Sequence, residues 1–287
     1  MKVTILEPCG YCSGVERAMK MAIETKKNNP TKNVVVLGML VHNKDSLKKL
    51  EENGITTIYK KDCSLEQLID EIKEPSIVVL TAHGHSKAVE EKLLDNGHEI
   101  VDATCPFVKS SFDLIEAAVS IDRHVFYIGV ENHPECIAAL SISDKVHFLN
   151  VKKPEWDRVE CERPVLISQT TLSEREVERI EFDSFIHYPK IEKIKGICNA
   201  STARQDALIC LPDDVDLIYV VGDVNSNNTK TLFNLAKYYY PETRVELIQN
   251  ASEVNKKDLL GLSHIVISSG ASTPREVVEE IKSTLLN

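Results

Sequence analysis

Short runs of Val, Ile and Leu, apolar at successive rather than alternate positions, recur along the chain and end at Leu37, Leu80, Ile128, Ile167, Val221 and Ile267. A strand that is apolar on both faces must be buried on both, as in a parallel sheet with helices above and below. The stretches between supply those helices: residues 15–22, 65–72, 108–119, 174–180, 203–209 and 276–285 carry apolar side chains at helical period. The N-terminal Lys2-Val-Thr-Ile-Leu6 predicts one more strand. Together these elements predict an α/β fold with mainly parallel sheets.

The polar positions are periodic too. Cys12, Cys105 and Cys198 stand 93 and again 93 residues apart, and each closes an apolar or glycine-marked approach and opens a helical stretch. Four residues beyond Gly38, Gly129 and Gly222, each at a strand end, stand His42, His133 and Ser226. Later strands finish in Thr81-Ala-His83, Ser168-Gln-Thr170 and Ser268-Ser-Gly-Ala-Ser272. Three repeats of one α/β unit account for these positions, with divisions at residues 1–104 (including the N-terminal strand), 105–197, and 198–287 with the C-terminal helix. Which unit's sheet the first strand joins stays open. Ligands of open parallel sheets lie beyond the carboxyl ends of the strands. Three α/β domains related by a pseudo-three-fold axis would therefore direct these side chains at one central cavity.

Composition narrows the function. The 287 residues are 43% hydrophobic, ample for buried sheets, and carry 34 Lys and Arg against 44 Asp and Glu. A net charge of -10 with no long basic block argues against nucleic acid as a partner. The sequence passes from Met1 directly into a strand, and the apolar run 34–41 is too short to span a bilayer. We read no signal peptide, no membrane partner and a cytoplasmic location. The eight cysteines then serve as ligands, nucleophiles or buried apolar residues rather than disulfides. Cys9, Cys63, Cys136, Cys161 and Cys210 lie outside the period and take the buried role.

Three thiolates at one point suit zinc or an iron-sulfur cluster. Structural zinc sites use a fourth protein ligand and short Cys-x-x-Cys spacing, whereas a cubane on three cysteines leaves one iron open to substrate. His42, His83, His133, Thr170, Ser226 and Ser272, with Glu135 and Asn228 close by in sequence, form a set of donors for an oxyanion. Neither G-x-G-x-x-G nor G-x-x-x-x-G-K-S/T occurs, so a phosphate would rest on imidazoles, hydroxyls, amides and helix N-termini. His133-Pro-Glu135 supplies the one acid of the set, a candidate proton donor to a leaving group. Local alternatives remain. Cys9-Gly-Tyr-Cys12 also matches a thioredoxin-like redox motif, which leaves the 93-residue period unexplained. His83-Gly-His85 matches a hydrolase metal pair without the carboxylate pattern that should follow, and Ser226-Asn-Asn-Thr229 also fits a plain polar turn.

Over essentially its whole length the chain resembles the 4-hydroxy-3-methylbut-2-enyl diphosphate reductase family of the non-mevalonate isoprenoid pathway. The likeness rests on Gly10-Tyr-Cys-Ser-Gly-Val-Glu-Arg-Ala18, Val41-His-Asn43, Ala82-His-Gly84, Asp102-Ala-Thr-Cys-Pro106, His133-Pro-Glu135, Gln169-Thr-Thr-Leu172, Ile197-Cys198 with Arg204-Gln205, Asn225-Ser-Asn-Asn228 and Gly270-Ala-Ser-Thr-Pro274. The resemblance implies a 4Fe-4S cluster on Cys12, Cys105 and Cys198, an iron-sulfur oxidoreductase, and a substrate whose C4 hydroxyl meets the open iron. It implies Glu135 as proton donor with His133 and Thr170 near the leaving oxygen. It places the diphosphate on His42, His83, Ser226, Asn228 and Ser272, with Asn227 contributing through backbone or side chain, and it makes a ferredoxin or flavodoxin the electron donor. Cys9 stands where the family commonly has Arg, Asn227 where it usually has Ser, and His85 is unusual. Quinolinate synthase shares the three-unit, three-cysteine plan, and a non-enzymatic iron-sulfur sensor is a third class. The segments 133–135 and 225–228 favour the reductase, and the chain has no basic helix for a sensor.

Overall fold

The computed structural model describes the backbone of residues 1–287 and the side chains of all but residues 256 and 258. The apolar runs pair into three four-stranded sheets, parallel at every pairing. One has the order β3 (Thr56–Ile58), β2 (Val34–Leu37), β4 (Ile77–Leu80), β5 (Glu99–Asp102). The next is β7 (Val146–Asn150), β6 (Val125–Gly129), β8 (Val165–Ser168), β9 (Glu192–Lys193). The last is β11 (Arg244–Ile248), β10 (Leu217–Val221), β12 (His264–Ser269), β1 (Lys2–Ile5).

Written in this order the sheets are equivalent strand for strand, and the N-terminal β1 fills, beside β12, the edge position that β5 fills beside β4 and β9 beside β8. That settles which sheet the first strand joins. It also shows what the 93-residue spacing marks: each cysteine follows the same edge strand, and a helix opens next to it, α1 (Ser13–Asn28), α5 (Pro106–Ser120) or α8 (Asn199–Ile209).

The chain gathers into two compact units. One comprises Met1–Val15, His42–Ser46 and Cys198–Asn287 and holds the sheet with β1; the other comprises Glu16–Val41 and Leu47–Ile197 and holds the other two sheets. In the first, Leu217, Tyr219 and Val221 pack with Val277, Val278 and Ile281 of α10 (Arg275–Leu286), while Ile218 and Val220 pack with Leu208 of α8 and Leu232 and Leu235 of α9 (Asn227–Tyr239). In the second, Val35, Leu37, Val78 and Leu80 pack with Leu68 and Ile69 of α3 (Leu65–Ile69) and Val89 and Leu93 of α4 (Lys87–Asp95). Phe126 and Ile128 meet α7 (Glu174–His187) through Val177 and Ile180. Val125 and Tyr127 turn the other way, toward Ile115 of α5 and Cys136 and Ala139 of α6 (Pro134–Leu140). Both faces of the strands are thus covered, and each such side chain contributes about 1.5–3 kcal/mol by leaving water. The helix expected at 65–72 ends at Ile69, because Glu71 and Ile72 form tighter bonds to Leu68 and Ile69 ahead of Pro75. Among the described residues no helix is long and apolar enough to cross a membrane.

Candidate active site

In the larger unit the chemistry gathers where β6 and β8 end. His133 caps α6 and Pro134 occupies its first position, where a missing N–H costs nothing. The His133 Nδ1 accepts the Glu135 amide at 3.2 Å, which leaves the ring proton on Nε2. This turn carries the Glu135 carboxyl inward, 1% exposed. The Thr170 amide and the Tyr127 hydroxyl donate to its Oε1 at 2.8 and 2.9 Å, and the Thr170 hydroxyl to its Oε2 at 2.8 Å. Burial raises the Glu135 pKa from 4.5 to about 7, against the lowering effect of the Thr170 amide and hydroxyl and of Tyr127. Gln169, next to Thr170, ties the neighbourhood together: its Oε1 accepts the Val130 amide at 3.0 Å and Cys136 Sγ at 3.3 Å.

The His83 ring meets His133 edge-on, with centroids 5.7 Å apart. Gly84 holds φ +85°, and a Cβ there would lie 2.6 Å from the Phe112 ring, so only glycine fits beside His83. His85 does not join this group: its Nε2 pairs with Glu90 at 2.7 Å. The Cys105 amide donates to the Ala82 carbonyl at 3.0 Å, which docks the start of α5 onto the His83 segment.

In the smaller unit the polar loops converge through their own hydrogen bonds. Ser226 caps the 13-residue α9. Asn228, 4% exposed, donates to Ser201 Oγ at 3.2 Å and accepts the Ala271 amide at 2.8 Å. Ser272 Oγ donates to the His42 carbonyl at 3.0 Å, and the Cys12 amide donates to the Ala271 carbonyl at 2.9 Å. His42 is held toward its neutral form mainly by burial; Asp223 opposes and exposed Lys230 adds to the shift. These groups and the N-terminus of α9 present amides, hydroxyls and an imidazole, the donor set for an oxyanion.

Among the described residues no two cysteines form a disulfide. Cys105 and Cys198 occupy N-cap positions without using sulfur to cap the helix, and Cys12 precedes α1 directly. Cys12 is reached through Gly10, at φ +88° and packed against the Arg275 Cβ, a turn that favours glycine. Arg204, 3% exposed, links Cys12 and Cys198: its guanidinium donates to the Gly10 carbonyl at 2.7 Å and to the Ala200 carbonyl at 3.0 Å. Cys136 is buried within the core, its thiol pKa pushed far up by burial and then by Glu135. Among the described residues no three His, Cys, Asp or Glu side chains form a group that could hold one metal ion. Of the predicted residues, His42, Ser226, Asn227, Asn228, Ser272, Cys12 and Cys198 lie in one unit, and His83, Cys105, His133, Glu135 and Thr170 in the other. Tyr127 and the bridging role of Arg204 were not visible in the pattern.

A family model described as LytB protein matches residues 3–286. The chain belongs to the LytB family. LytB relatives include a 4-hydroxy-3-methylbut-2-enyl diphosphate reductase of Malacoplasma penetrans, 38% identical over 96% of this chain and 93% of that protein. One of the same name from Bacillus cereus is 34% identical over 98% of this chain and 89% of its own length. Among solved structures, the E-1-hydroxy-2-methyl-but-2-enyl-4-diphosphate reductase of Plasmodium falciparum superposes with a TM-score of 0.88 at 26% identity, covering 100% of this chain and 88% of that one. The three parallel sheets are therefore a LytB architecture, and the expected fold class stands.

Proposed function

We propose that this LytB chain reduces (E)-4-hydroxy-3-methylbut-2-enyl diphosphate. The C4–O bond breaks, two electrons and two protons enter, and water leaves with isopentenyl or dimethylallyl diphosphate as product. The names of its relatives support the substrate, and one observation carries the chemistry: a fully buried glutamate, pKa about 7, held against Thr170. At neutral pH that carboxyl is divided between its acid and its base, the condition in which a general acid works best. When Glu135 is protonated, Thr170 Oγ1 turns from donor to acceptor and its own proton faces outward, toward the oxygen that departs. His133, with its proton on Nε2, supplies a second donor there.

In this reading His42, His83, Ser226, Asn227, Asn228 and Ser272 hold the diphosphate through neutral donors, and the N-terminus of α9 adds its dipole. With boundaries near residues 104 and 197, each repeated unit supplies one of the three cysteines. Iron-sulfur chemistry is implied by LytB membership, and the donor set fits it. Cys12, Cys105 and Cys198 are outside any disulfide, sit at helix starts where anionic sulfur is favoured, and in two cases flank a buried guanidinium. Cys12, Cys105 and Cys198 would hold a 4Fe-4S cluster, which would supply the electrons for the reduction. With no dinucleotide motif in the chain, the electrons come from a ferredoxin or flavodoxin, which fits a cytoplasmic enzyme. Protein purified without oxygen is expected to be brown and, with a strong chemical reductant, to convert the diphosphate to both products. A folded, colourless, iron-free protein from that preparation would overturn the proposal.

A further inference from the structure

Tyr127 lies in β6, fully buried among Val125, Val165, Ile167, Ile115 and Cys136. A hydroxyl in such surroundings needs a partner, and among the described residues its hydrogen bond is to Glu135 Oε1 at 2.9 Å. With no other acceptor offered, the Tyr127 O–H donates. The Thr170 amide, which can only donate, reaches the same oxygen at 2.8 Å. A carboxyl oxygen has two lone pairs, and these two donors occupy both. We infer that Tyr127 is a positioning residue: by filling Oε1 it confines the Glu135 proton to Oε2, the oxygen facing Thr170 Oγ1. This rests on the reading of Glu135 as proton donor and extends it to why the proton leaves in one direction.

The consequence is specific. Without the hydroxyl, Oε1 keeps a vacant lone pair in an apolar pocket, and a proton can settle there, out of reach of Thr170 Oγ1. The carboxylate also loses a donor, so it binds its proton more tightly.

The test is Tyr127→Phe, which removes one oxygen. In the cluster-loaded enzyme, the protonated carboxyl stretch of Glu135, assigned by its loss in Glu135→Gln, is titrated by infrared difference spectroscopy, and kcat and KM are measured against pH. The expected result is a carboxyl titration moved up by about one pH unit, a matching upward move of the alkaline limb of kcat, a kcat about tenfold lower on the acid plateau, and an unchanged KM. An unmoved titration in folded Tyr127→Phe overturns the inference. If Tyr127→Phe does not fold, 3-fluorotyrosine at 127, a stronger donor, should move the titration down, and no movement overturns the inference equally. The general-acid reading fails separately, if Glu135→Gln turns over normally; the carboxyl titration still decides the role of Tyr127.

Discussion

Glu135 and Arg204 are buried almost equally, 1% and 3% exposed, one in each compact unit, and burial does opposite things to them. The Glu135 partners are neutral donors, and among the described residues no Lys or Arg pairs with it. Desolvation therefore dominates and carries the group to a pKa of about 7. Burial disfavours the charge of Arg204 as well and so lowers its pKa, but Cys12, Cys9, Cys198 and Glu7 act the other way, and a guanidinium starts as a far stronger base than any proton donor near neutral pH. Arg204 stays charged and bonds carbonyls on two turns. The same burial makes one group that titrates and one that is a permanent tie.

The largest effect should come from removing the titrating member. Glu135→Gln keeps the shape and the contact with Thr170 but carries no acidic proton. Turnover is expected to fall by about 10²–10⁴-fold, with iron content and substrate binding retained. Steady-state kinetics beside iron analysis and calorimetric binding check this. Turnover within a factor of two of the unaltered enzyme would remove Glu135 from proton delivery.

The same contrast sets a pH dependence of stability. Folded Glu135 holds its proton more tightly than the unfolded chain does, so its stabilising contribution is complete below about pH 4.5 and is lost as pH rises through about 7. A rise from 4.5 to about 7 corresponds to about 3.5 kcal/mol at about 1.4 kcal/mol per pH unit. Urea unfolding at pH 5 and pH 8 spans most of that range and should show the folded state losing about 2.5 kcal/mol relative to Glu135→Gln, whose side chain does not titrate. Parallel pH profiles for the two proteins would contradict the buried-acid assignment.

Arg204→Met tests the permanent tie. It strands the Gly10 and Ala200 carbonyls, at a cost of about 2 kcal/mol in urea unfolding. It should also lower the iron retained after anaerobic reconstitution, because the turn before Cys12 loses its anchor. Arg204→Lys, which keeps the charge but not the fork, should recover part of the iron and less of the stability. Equal losses from both would show that geometry alone matters; full recovery by Lys would show that only charge does.

How much of this was legible beforehand differs between the two groups for physical reasons. The 93-residue spacing located the cysteines because each follows an equivalent edge strand, and repeated chain length between equivalent points is a linear property. His133-Pro-Glu135 announced an acid because capping chemistry is local. The place of β1 was not legible, because its pairing with β12 joins positions 262 residues apart, Lys2 with His264, and nothing local to either strand fixes the other. Tyr127 sat inside an apolar run and read as core, which it is; only the fold shows that its hydroxyl meets a carboxyl from the following helix. Arg204 was a residue in a motif without a role, because its two acceptors lie four residues away on its own helix and 194 residues away at Gly10.

The smallest effect belongs to a group that neither titrates nor anchors. Ser226 accepts the Thr229 amide at 3.4 Å, a long capping bond, and the residue is 5% exposed. Ser226→Ala should cost about 1 kcal/mol of stability, the common loss for a missing N-cap. If the same hydroxyl also meets the diphosphate, KM should rise several-fold while kcat and the pH limb set by Glu135 stay where they were, since the lost bond is made equally in ground and transition states. Ser226→Thr keeps a capping oxygen and should restore stability, so a KM that stays high in that variant separates crowding at the phosphate from loss of the cap. A fall in kcat instead would place Ser226 with Glu135 rather than apart from it, and the division of labour between the two units would have to be redrawn.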